Sequence, residues 1–226
     1  TIPDTITNIG NSAFYNCTAL TEIEIPSSVT NIGVDAFCYC TNLEKLTLNE
    51  GLKTIGANSF QSTKISSVNI PSTLTAVNMP SYDDHGPFYK STTLKEVIID
   101  DNAAIIPDYL FENCSGLETI DIPSAVQTIG KSAFRSCTNL TEIEIPSSVT
   151  NIGCDAFYYC SNLEKLTLNE GLKTIGANSF QGTKISSVNI PSTLTSVNMP
   201  SYDDHGPFYK STTLKKVTIA DNAAII

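Results

Sequence analysis

Phenylalanine recurs along this chain at nearly constant spacing, and this regularity constrains the fold more than any other feature. Consecutive phenylalanines are separated by 23 or 28 residues, and all nine in the 226-residue sequence follow this rule. A common pattern surrounds them, V-x-x-I-G-x-x-A-F-x-x-C-x-x-L-x-x-I-x-I-P, with its fullest form in residues 126–146. Such self-similarity predicts a repeat protein in which each unit packs against its neighbours. The repeated positions are Phe14, Phe37, Phe60, Phe88, Phe111, Phe134, Phe157, Phe180 and Phe208.

A longer period of 120 residues is superimposed on the short one. Residues 20–100 and 140–220 differ at only eight of 81 aligned positions, which indicates a duplicated super-unit of five repeats. We therefore expect residues 1–226 to form a single solenoid of about ten repeats of 23 to 28 residues, in two super-units. Both ends fall inside a repeat and lack the polar cap that solenoids need, so we expect a longer natural protein that is truncated at both ends here.

The apolar residues of each repeat predict strands. In L-x-x-I-x-I the last two apolar positions alternate in and out, as in Ile23 and Ile25, and a proline often ends this strand. A second short extended piece follows, and the segment A-F-x-x-C has the three-to-four spacing of one or two helical turns. Stacked copies predict a mostly β, α/β repeat solenoid with a concave parallel β-sheet, short second strands and short convex helices. We expect Phe134 to lie in the densest part of its core.

The pattern I-P-x-x-V-x-x-I-G-x-x-A-F-x-x-C-x-x-L-x-x-I-x-I resembles the BspA-like leucine-rich repeats, also called the Treponema pallidum type. The resemblance implies a leucine-rich-repeat horseshoe. Because such proteins are typically secreted or surface-anchored in host-associated microbes, it also implies an extracellular or cell-surface adhesion role, and it brings no catalytic residues. Positions Thr63, Thr183, Ser91 and Ser211 depart from the pattern, which has Cys there. The match rests on Ile9-Gly10, Ala13-Phe14, Cys17, Leu20, Ile23 and Ile25-Pro26, and on the same set from Ile129 to Pro146.

Charge and motif content narrow the classes of function. The formal net charge is −10 at pH 7, and an acidic surface repels phosphate backbones, so we expect no nucleic-acid partner. No apolar run reaches the roughly 18 to 20 residues that span a bilayer, so we expect no membrane insertion by this segment. The sequence lacks H-E-x-x-H, G-x-S-x-G, C-x-x-C and a glycine-rich phosphate loop, so we expect a non-enzymatic protein without a cofactor.

Five of the seven cysteines occupy the position three residues after a phenylalanine. Stacking would bring them close together, which leaves a disulfide or a metal site open. A column of small buried hydrophobic residues is the favoured interpretation, because a spacing of 23 residues matches no zinc motif. The two remaining cysteines, Cys38 and Cys154, are not shared between the super-units. The five in the column are Cys17, Cys40, Cys114, Cys137 and Cys160.

The concave face is the first candidate binding surface, with a solvated sheet face as its alternative. Register predicts Glu22 beside Lys45 and Glu142 beside Lys165, one repeat apart. The face lacks the Tyr, Trp and Arg clusters of strong hot spots, so tight binding there is not expected. The predicted outward residues are Glu22, Glu24, Lys45, Thr47, Ser67, Asn69, Glu96, Ile98, Thr119, Asp121, Glu142, Glu144, Lys165, Thr167, Ser187, Asn189, Lys216 and Thr218.

An insert that occurs twice is the second candidate. It reads N-M-P-S-Y-D-D-H-G-P-F-Y-K at 78–90 and again, unchanged, at 198–210, and it holds both histidines of the chain. Loops on a rigid scaffold often carry function, although a tolerated surface bulge is the alternative. A metal site is disfavoured, because consecutive side chains rarely converge on one ion. The candidate ligand-binding residues are Tyr82, Asp83, Asp84, His85 and Tyr89, with Tyr202, Asp203, Asp204, His205 and Tyr209 in the second copy.

Three hypotheses for the function remain open. The first is an extracellular or cell-surface adhesion module that binds a host or cell-surface protein through many weak contacts. The second is a structural spacer that holds another domain away from the cell. The third is a carbohydrate-binding surface that uses Tyr82, Tyr89 and their copies.

Overall fold

A computed structural model describes residues 1–81, 83–201 and 204–220, and its regular structure is entirely β-strand in those ranges. Each repeat forms one coil with up to two strands. The four-residue strands are β2 (Glu22–Ile25), β4 (Lys45–Leu48), β6 (Ser67–Ile70), β8 (Glu96–Ile99), β11 (Glu142–Ile145), β13 (Lys165–Leu168), β15 (Ser187–Ile190) and β17 (Lys216–Ile219). The shorter strands are β1 (Asn8–Ile9), β3 (Asn31–Ile32), β5 (Thr54–Gly56), β7 (Ala76–Asn78), β9 (Ile105–Ile106), β10 (Thr128–Ile129), β12 (Asn151–Ile152), β14 (Thr174–Gly176) and β16 (Ser196–Asn198).

The four-residue strands lie side by side along the solenoid, and their outward side chains form what we call the strand face. All pairs are parallel, as predicted, with β2 on β4, β6 on β8, β11 on β13 and β15 on β17. These pairs remain four separate two-stranded sheets instead of one continuous sheet. Between β4 and β6 the repeat is one residue short. Between β8 and β11 the intervening residues 118–122 are not strand.

The shorter strands form the two larger sheets. Strands β1, β3, β5 and β7 form one parallel sheet, and β9, β10, β12, β14 and β16 form another. Gly56 ends β5 where successive coils come very close together. A Cβ atom on Gly56 would lie 2.3 Å from the carbonyl carbon of Gly33 on the preceding coil, so this position does not accommodate a side chain.

The segments around the phenylalanines are successions of turns, and the prediction of short convex helices is wrong. Ser132 and Ser136, two residues either side of Phe134, have φ values of 52° and 58°, and most other coils repeat this arrangement. A left-handed residue every fourth position interrupts a right-handed helix. Instead, successive backbone N–H groups donate alternately to the next coil and to their own coil. The N–H of Phe134 donates to Ala156 O on the next coil (2.8 Å), whereas that of Arg135 donates to Ser132 O within its own coil (3.1 Å).

The phenylalanine rings form one continuous column through the interior. Each ring stacks on the next, with centroids 5.0 to 6.1 Å apart and planes within 20° of parallel. Phe134 is fully buried, as predicted, and only the outermost rings, Phe14 and Phe208, are half-buried. The column connects the coils into a single apolar core.

A cysteine column runs beside the phenylalanines. The thiol of Cys160 donates to Phe134 O on the preceding coil (3.1 Å), and that of Cys137 donates to Phe111 O (3.2 Å). All seven cysteines are free thiols, and four of the five in the column are buried, while Cys17 near the chain start is exposed. Burial raises the pKa of Cys160 to about 12. These thiols therefore pack as small hydrophobic groups.

Candidate binding surfaces

The strand face presents its polar side chains to solvent as the alternation predicts. Every outward residue named above for this face is exposed. The predicted neighbours are confirmed by the register, which pairs Glu22 with Lys45 and Glu142 with Lys165. Their charged atoms are 3.9 Å and 3.2 Å apart, respectively. Because these side chains are largely exposed, each ion pair contributes roughly 0–1 kcal/mol to stability.

Two depressions lie at equivalent places on the strand face, one in each super-unit. The first has a volume of about 490 Å³ and the second about 420 Å³. Their walls combine carboxylates, a lysine, a threonine and the apolar edge of a proline. The residues that line both, written as equivalent pairs, are Ile2 and Ile122, Glu22 and Glu142, Ile23 and Ile143, Glu24 and Glu144, Pro26 and Pro146, Lys45 and Lys165, and Thr47 and Thr167.

Hydrogen bonds hold the central carboxylates of these depressions in the same way. Asn49 Nδ2 donates to Glu24 Oε1 (3.1 Å), and Asn169 Nδ2 donates to Glu144 Oε1 (3.0 Å). In the second depression one wall is the segment 119–122. Among the described residues, no backbone hydrogen bond joins this segment to β11, so the two coils separate at the surface there. Each depression is a preformed, mainly acidic recess.

The structure brings most of the predicted insert residues together in both copies. The His85 ring stacks on the Tyr89 ring with centroids 3.7 Å apart, and His205 stacks on Tyr209 at 3.6 Å. Lys90 Nζ lies 5.1 Å from the centroid of the Tyr89 ring. The Tyr89 ring therefore has two close neighbours.

The carboxylates of the insert have a different role. Asp84 Oδ2 accepts the backbone N–H of Ser81 (2.8 Å), and Asp204 repeats this contact in the second copy at 2.7 Å. Asp83 is exposed, and its backbone N–H donates to Ser81 Oγ at 3.4 Å. These contacts shape the loop. Three predicted residues, Tyr82, Tyr202 and Asp203, lie outside the described ranges.

The insert is attached to the regular turns on both sides. His85 O accepts the backbone N–H of Asn58 (3.1 Å) on the preceding coil, and His205 O accepts that of Asn178 (3.0 Å). On the following coil, Glu112 Oε2 accepts the N–H of Gly86 (3.2 Å) and lies 3.5 Å from His85 Nδ1. Sequence analysis missed Glu112, which is only 8% exposed. Other repeats carry unrelated residues at its position, so no sequence signal marks it.

Sequence analysis also missed the aromatic residues on the outside of the turns, a surface that we call the turn face. Tyr15 and Tyr39 are exposed and contact each other edge to face, with ring centroids 5.6 Å apart. Arg135 lies over Tyr158, whose ring contacts that of Tyr159. Their positions one and two residues after a phenylalanine are a signal that could have located them, once the turns are recognised.

The fold and its repeat pattern define a class of protein, the leucine-rich-repeat solenoids. The profile of the BspA type leucine rich repeat region matches residues 1–86 and 84–207, with six copies of the repeat. The chain belongs to this family, which is a protein-binding repeat family.

Three solved structures are similar to the chain. A leucine-rich repeat protein from Bacteroides ovatus is 27% identical with a TM-score of 0.67, over 96% of this chain and 59% of that one. The pneumococcal vaccine antigen PcpA is 20% identical with a TM-score of 0.60, over 96% of this chain and 55% of PcpA. The Treponema pallidum leucine-rich repeat protein is 26% identical with a TM-score of 0.50, over 78% and 70%. The chain therefore spans little more than half of the first two structures.

None of the curated proteins compared with the chain matches it. In the ranges that the structure covers, no helix is long and apolar enough to cross a membrane, and no group of three or more His, Cys, Asp or Glu side chains is placed to hold a metal ion.

Proposed function

We propose that this chain is a non-enzymatic protein-binding module of an extracellular or cell-surface adhesion protein, and that it contacts its partner through the strand face. The observation that carries the proposal is the pair of equivalent depressions around Glu24 and Glu144. The same ion pair and the same amide-to-carboxylate hydrogen bond recur in both. Membership of a protein-binding repeat family supports the same role.

The charges of the depressions indicate the kind of partner. Each contains two glutamates, one lysine and one aspartate, which is Asp4 in the first and Asp121 in the second. A host or cell-surface protein that presents basic side chains is complementary to such a recess. The two depressions are five coils apart, which at about 4.8 Å per coil is at least about 24 Å. A repetitive partner that reaches both would bind more tightly than either contact alone, because the second contact becomes intramolecular.

The insert loops are the second part of the proposed surface. Met79, Pro80, Ser81 and Asp84 line a depression of about 500 Å³ whose far wall is Tyr109 from the next coil. The stacked His85 ring covers one face of Tyr89, and Lys90 also lies close to the ring, which reduces the surface open to a sugar and favours a protein ligand over a carbohydrate at this tyrosine. A spacer role, for which the nearly identical super-units are suited, predicts no binding at any of these surfaces.

A bivalent peptide titration tests the proposal. The probes are a lysine-rich peptide and a tandem version whose two basic segments are joined by a linker longer than the distance between the depressions. We expect two single peptides to bind per chain in isothermal titration calorimetry, and the tandem peptide to bind at least about tenfold more tightly. Glu24→Gln with Glu144→Gln should remove both effects.

A matched control separates this site from net charge. Glu44 and Glu164 are exposed, equivalent carboxylates that line neither strand-face depression, so Glu44→Gln with Glu164→Gln removes the same charge elsewhere. This control should bind both probes like the wild type. Equal losses in the two double variants, or no gain from the tandem peptide, would overturn the strand face as the contact surface.

The proposed location has a test of its own. Antibodies raised against residues 126–146 should label intact cells of the source organism. Labelling only after the cells are permeabilised would contradict an extracellular or surface location.

A further inference from the structure

We propose that the turn face of the second super-unit carries a separate docking site for an acidic segment of a partner protein, built from Lys131, Arg135, Tyr158 and Tyr159. This site lies on the turns, whereas the strand face lies on the four-residue strands, so it is independent of the function proposed above. Tyrosine and arginine are the residue types that dominate the energetics of protein interfaces.

Three of these side chains, Arg135, Tyr158 and Tyr159, form one connected cluster across neighbouring coils, and Lys131 lies four residues before Arg135 on the same coil. The guanidinium carbon of Arg135 lies 4.9 Å from the centroid of the Tyr158 ring. The Tyr158 and Tyr159 rings meet edge to face, with centroids 4.5 Å apart, and Tyr159 is 49% exposed. On the other side, Lys131 Nζ lies 5.7 Å from the centroid of the Tyr109 ring. Cationic and aromatic groups are thus presented together.

The backbone beneath the cluster is held by hydrogen bonds between coils. The N–H of Tyr109 donates to Lys131 O (2.8 Å), and that of Ser136 donates to Tyr158 O (2.7 Å). Tyr159 rests on Gly182, where an added Cβ would lie 3.1 Å from Tyr159 Cδ1. A rigid platform of this kind has little conformational entropy to lose when a partner binds.

The two cations are available to an incoming carboxylate. Within the described ranges, neither Lys131 nor Arg135 lies within 4.0 Å of a carboxylate oxygen. The carboxylate of Asp108 accepts the backbone N–H of Lys131 (2.7 Å). A hydrogen bond to Tyr109 and, to a smaller extent, the charge of Asp155 raise the pKa of Lys131.

Arginine geometry and overall charge identify the occupant as an acidic protein segment. The guanidinium of Arg135 lies over the Tyr158 ring, and the N–H groups of a guanidinium match a carboxylate in a bidentate manner. A nucleic acid would meet the same cations, but the net charge of −10 repels a long, densely charged phosphate backbone more strongly than a short acidic segment. A short segment that combines acidic side chains with one apolar side chain can contact both the cations and the exposed ring of Tyr159.

The first super-unit has no such cluster, although its fold is the same. The equivalents of Lys131, Arg135 and Tyr158 are Asn11, Tyr15 and Cys38, none of them cationic. Three of the eight differences between the super-units fall on these adjacent turns. They are Val34 and Cys154, Cys38 and Tyr158, and Ser62 and Gly182. The second super-unit therefore has a surface that the first lacks, and the protein contains its own control site.

Fluorescence anisotropy with a defined probe tests the site. The probe is a fluorescein-labelled peptide of aspartate and glutamate around a central phenylalanine, and its control has asparagine and glutamine instead. We expect saturable binding of the acidic peptide at one site per chain, and none of the amide peptide. Arg135→Gln should weaken binding about tenfold or more, as expected when a charge-assisted hydrogen bond is lost. Tyr159→Ser should also weaken it.

The matched controls decide between outcomes. Tyr39→Ser removes the equivalent, 42% exposed tyrosine of the first super-unit and should leave binding unchanged. The triple variant Asn11→Lys, Tyr15→Arg, Cys38→Tyr transplants the cluster and should raise the stoichiometry from one to two. Failure of the wild type to prefer the acidic peptide would overturn the proposal, as would equal effects of Arg135→Gln and Tyr39→Ser. Self-association of the unliganded protein that Arg135→Gln abolishes would also overturn it, since the occupant would then be a second copy.

Discussion

The ring of Phe134 stacks on that of Phe157 with centroids 5.2 Å apart and planes 9° from parallel. Both rings are fully buried, and the next rings along the column, Phe111 and Phe180, continue the same arrangement. Each coil therefore contributes one ring to an interior that no coil could form alone. The stability of the solenoid depends on contacts between neighbours, as expected for a quasi-one-dimensional protein.

Truncation of a central ring should be costly. Phe134→Ala removes contacts with two neighbouring rings and leaves a cavity, so we expect a loss of about 3–5 kcal/mol in the free energy of unfolding. Urea denaturation followed by circular dichroism measures this loss. Phe14→Ala, at the half-buried end of the column, should cost less. An unfolding midpoint for Phe134→Ala equal to that of the wild type would contradict the placement.

Glu112 should hold the first insert against the following coil. In Glu112→Ala the N–H of Gly86 loses its acceptor, and an unpaired buried donor costs about 1–3 kcal/mol. We expect faster hydrogen exchange in residues 83–90, with residues 204–210 unchanged as an internal control. Equal exchange of residues 83–90 in variant and wild type would show that Glu112 does not anchor the loop.

The buried thiols should react slowly with reagents that require the thiolate form. Burial raises the pKa of Cys160 to about 12 and that of Cys38 to about 11, so almost no thiolate exists at pH 8. The stability gained from the protonated thiol of Cys160 is present below the ordinary thiol pKa of about 9 and is lost as pH rises towards 12. With Ellman's reagent at pH 8, exposed Cys17 should react first, and Cys160 only after unfolding. Comparable rates for these two cysteines would refute the burial of Cys160.

Gly171 should not tolerate a side chain. Its φ is +115°, and an added Cβ would lie 2.0 Å from the carbonyl oxygen of Ser147 on the preceding coil. We expect Gly171→Ala to destabilise the fold by about 1–3 kcal/mol in thermal or urea unfolding. Gly10→Ala is the control, because no atom lies within 4 Å of the Cβ that it adds. A similar effect of the two substitutions would be inconsistent with this contact.

Sequence periodicity predicted the parts of the structure that repeat. The buried phenylalanine and cysteine columns follow from spacing alone, because stacking places equivalent residues on top of one another. The same reasoning predicted Glu142 beside Lys165, since a constant repeat length sets the register of parallel strands. The family profile and the solved structures agree with the leucine-rich-repeat class that the pattern indicated.

Other features depend on the local backbone, which spacing does not reveal. Ala133, Phe134 and Cys137 have helical spacing, but Ser132 and Ser136 adopt left-handed conformations that permit hydrogen bonds to the next coil. Because these segments are turns and not helices, tyrosines such as Tyr159 lie on an exposed surface that the helical prediction did not reveal. The contact between Glu112 and the insert joins residues 26 positions apart in sequence, and no repeat pattern encodes it.

Hydrogen exchange at the turns tests the central claim, that successive coils stack into one continuous interior. The N–H groups of Ser132, Phe134 and Ser136 all donate to carbonyl oxygens of the next coil. Mass spectrometry of the peptide covering residues 131–137 should therefore show exchange as slow as that of strand β11, residues 142–145. Exchange of residues 131–137 within seconds, while β11 stays protected, would mean that the turns are open loops and that the stacked interior described above does not exist.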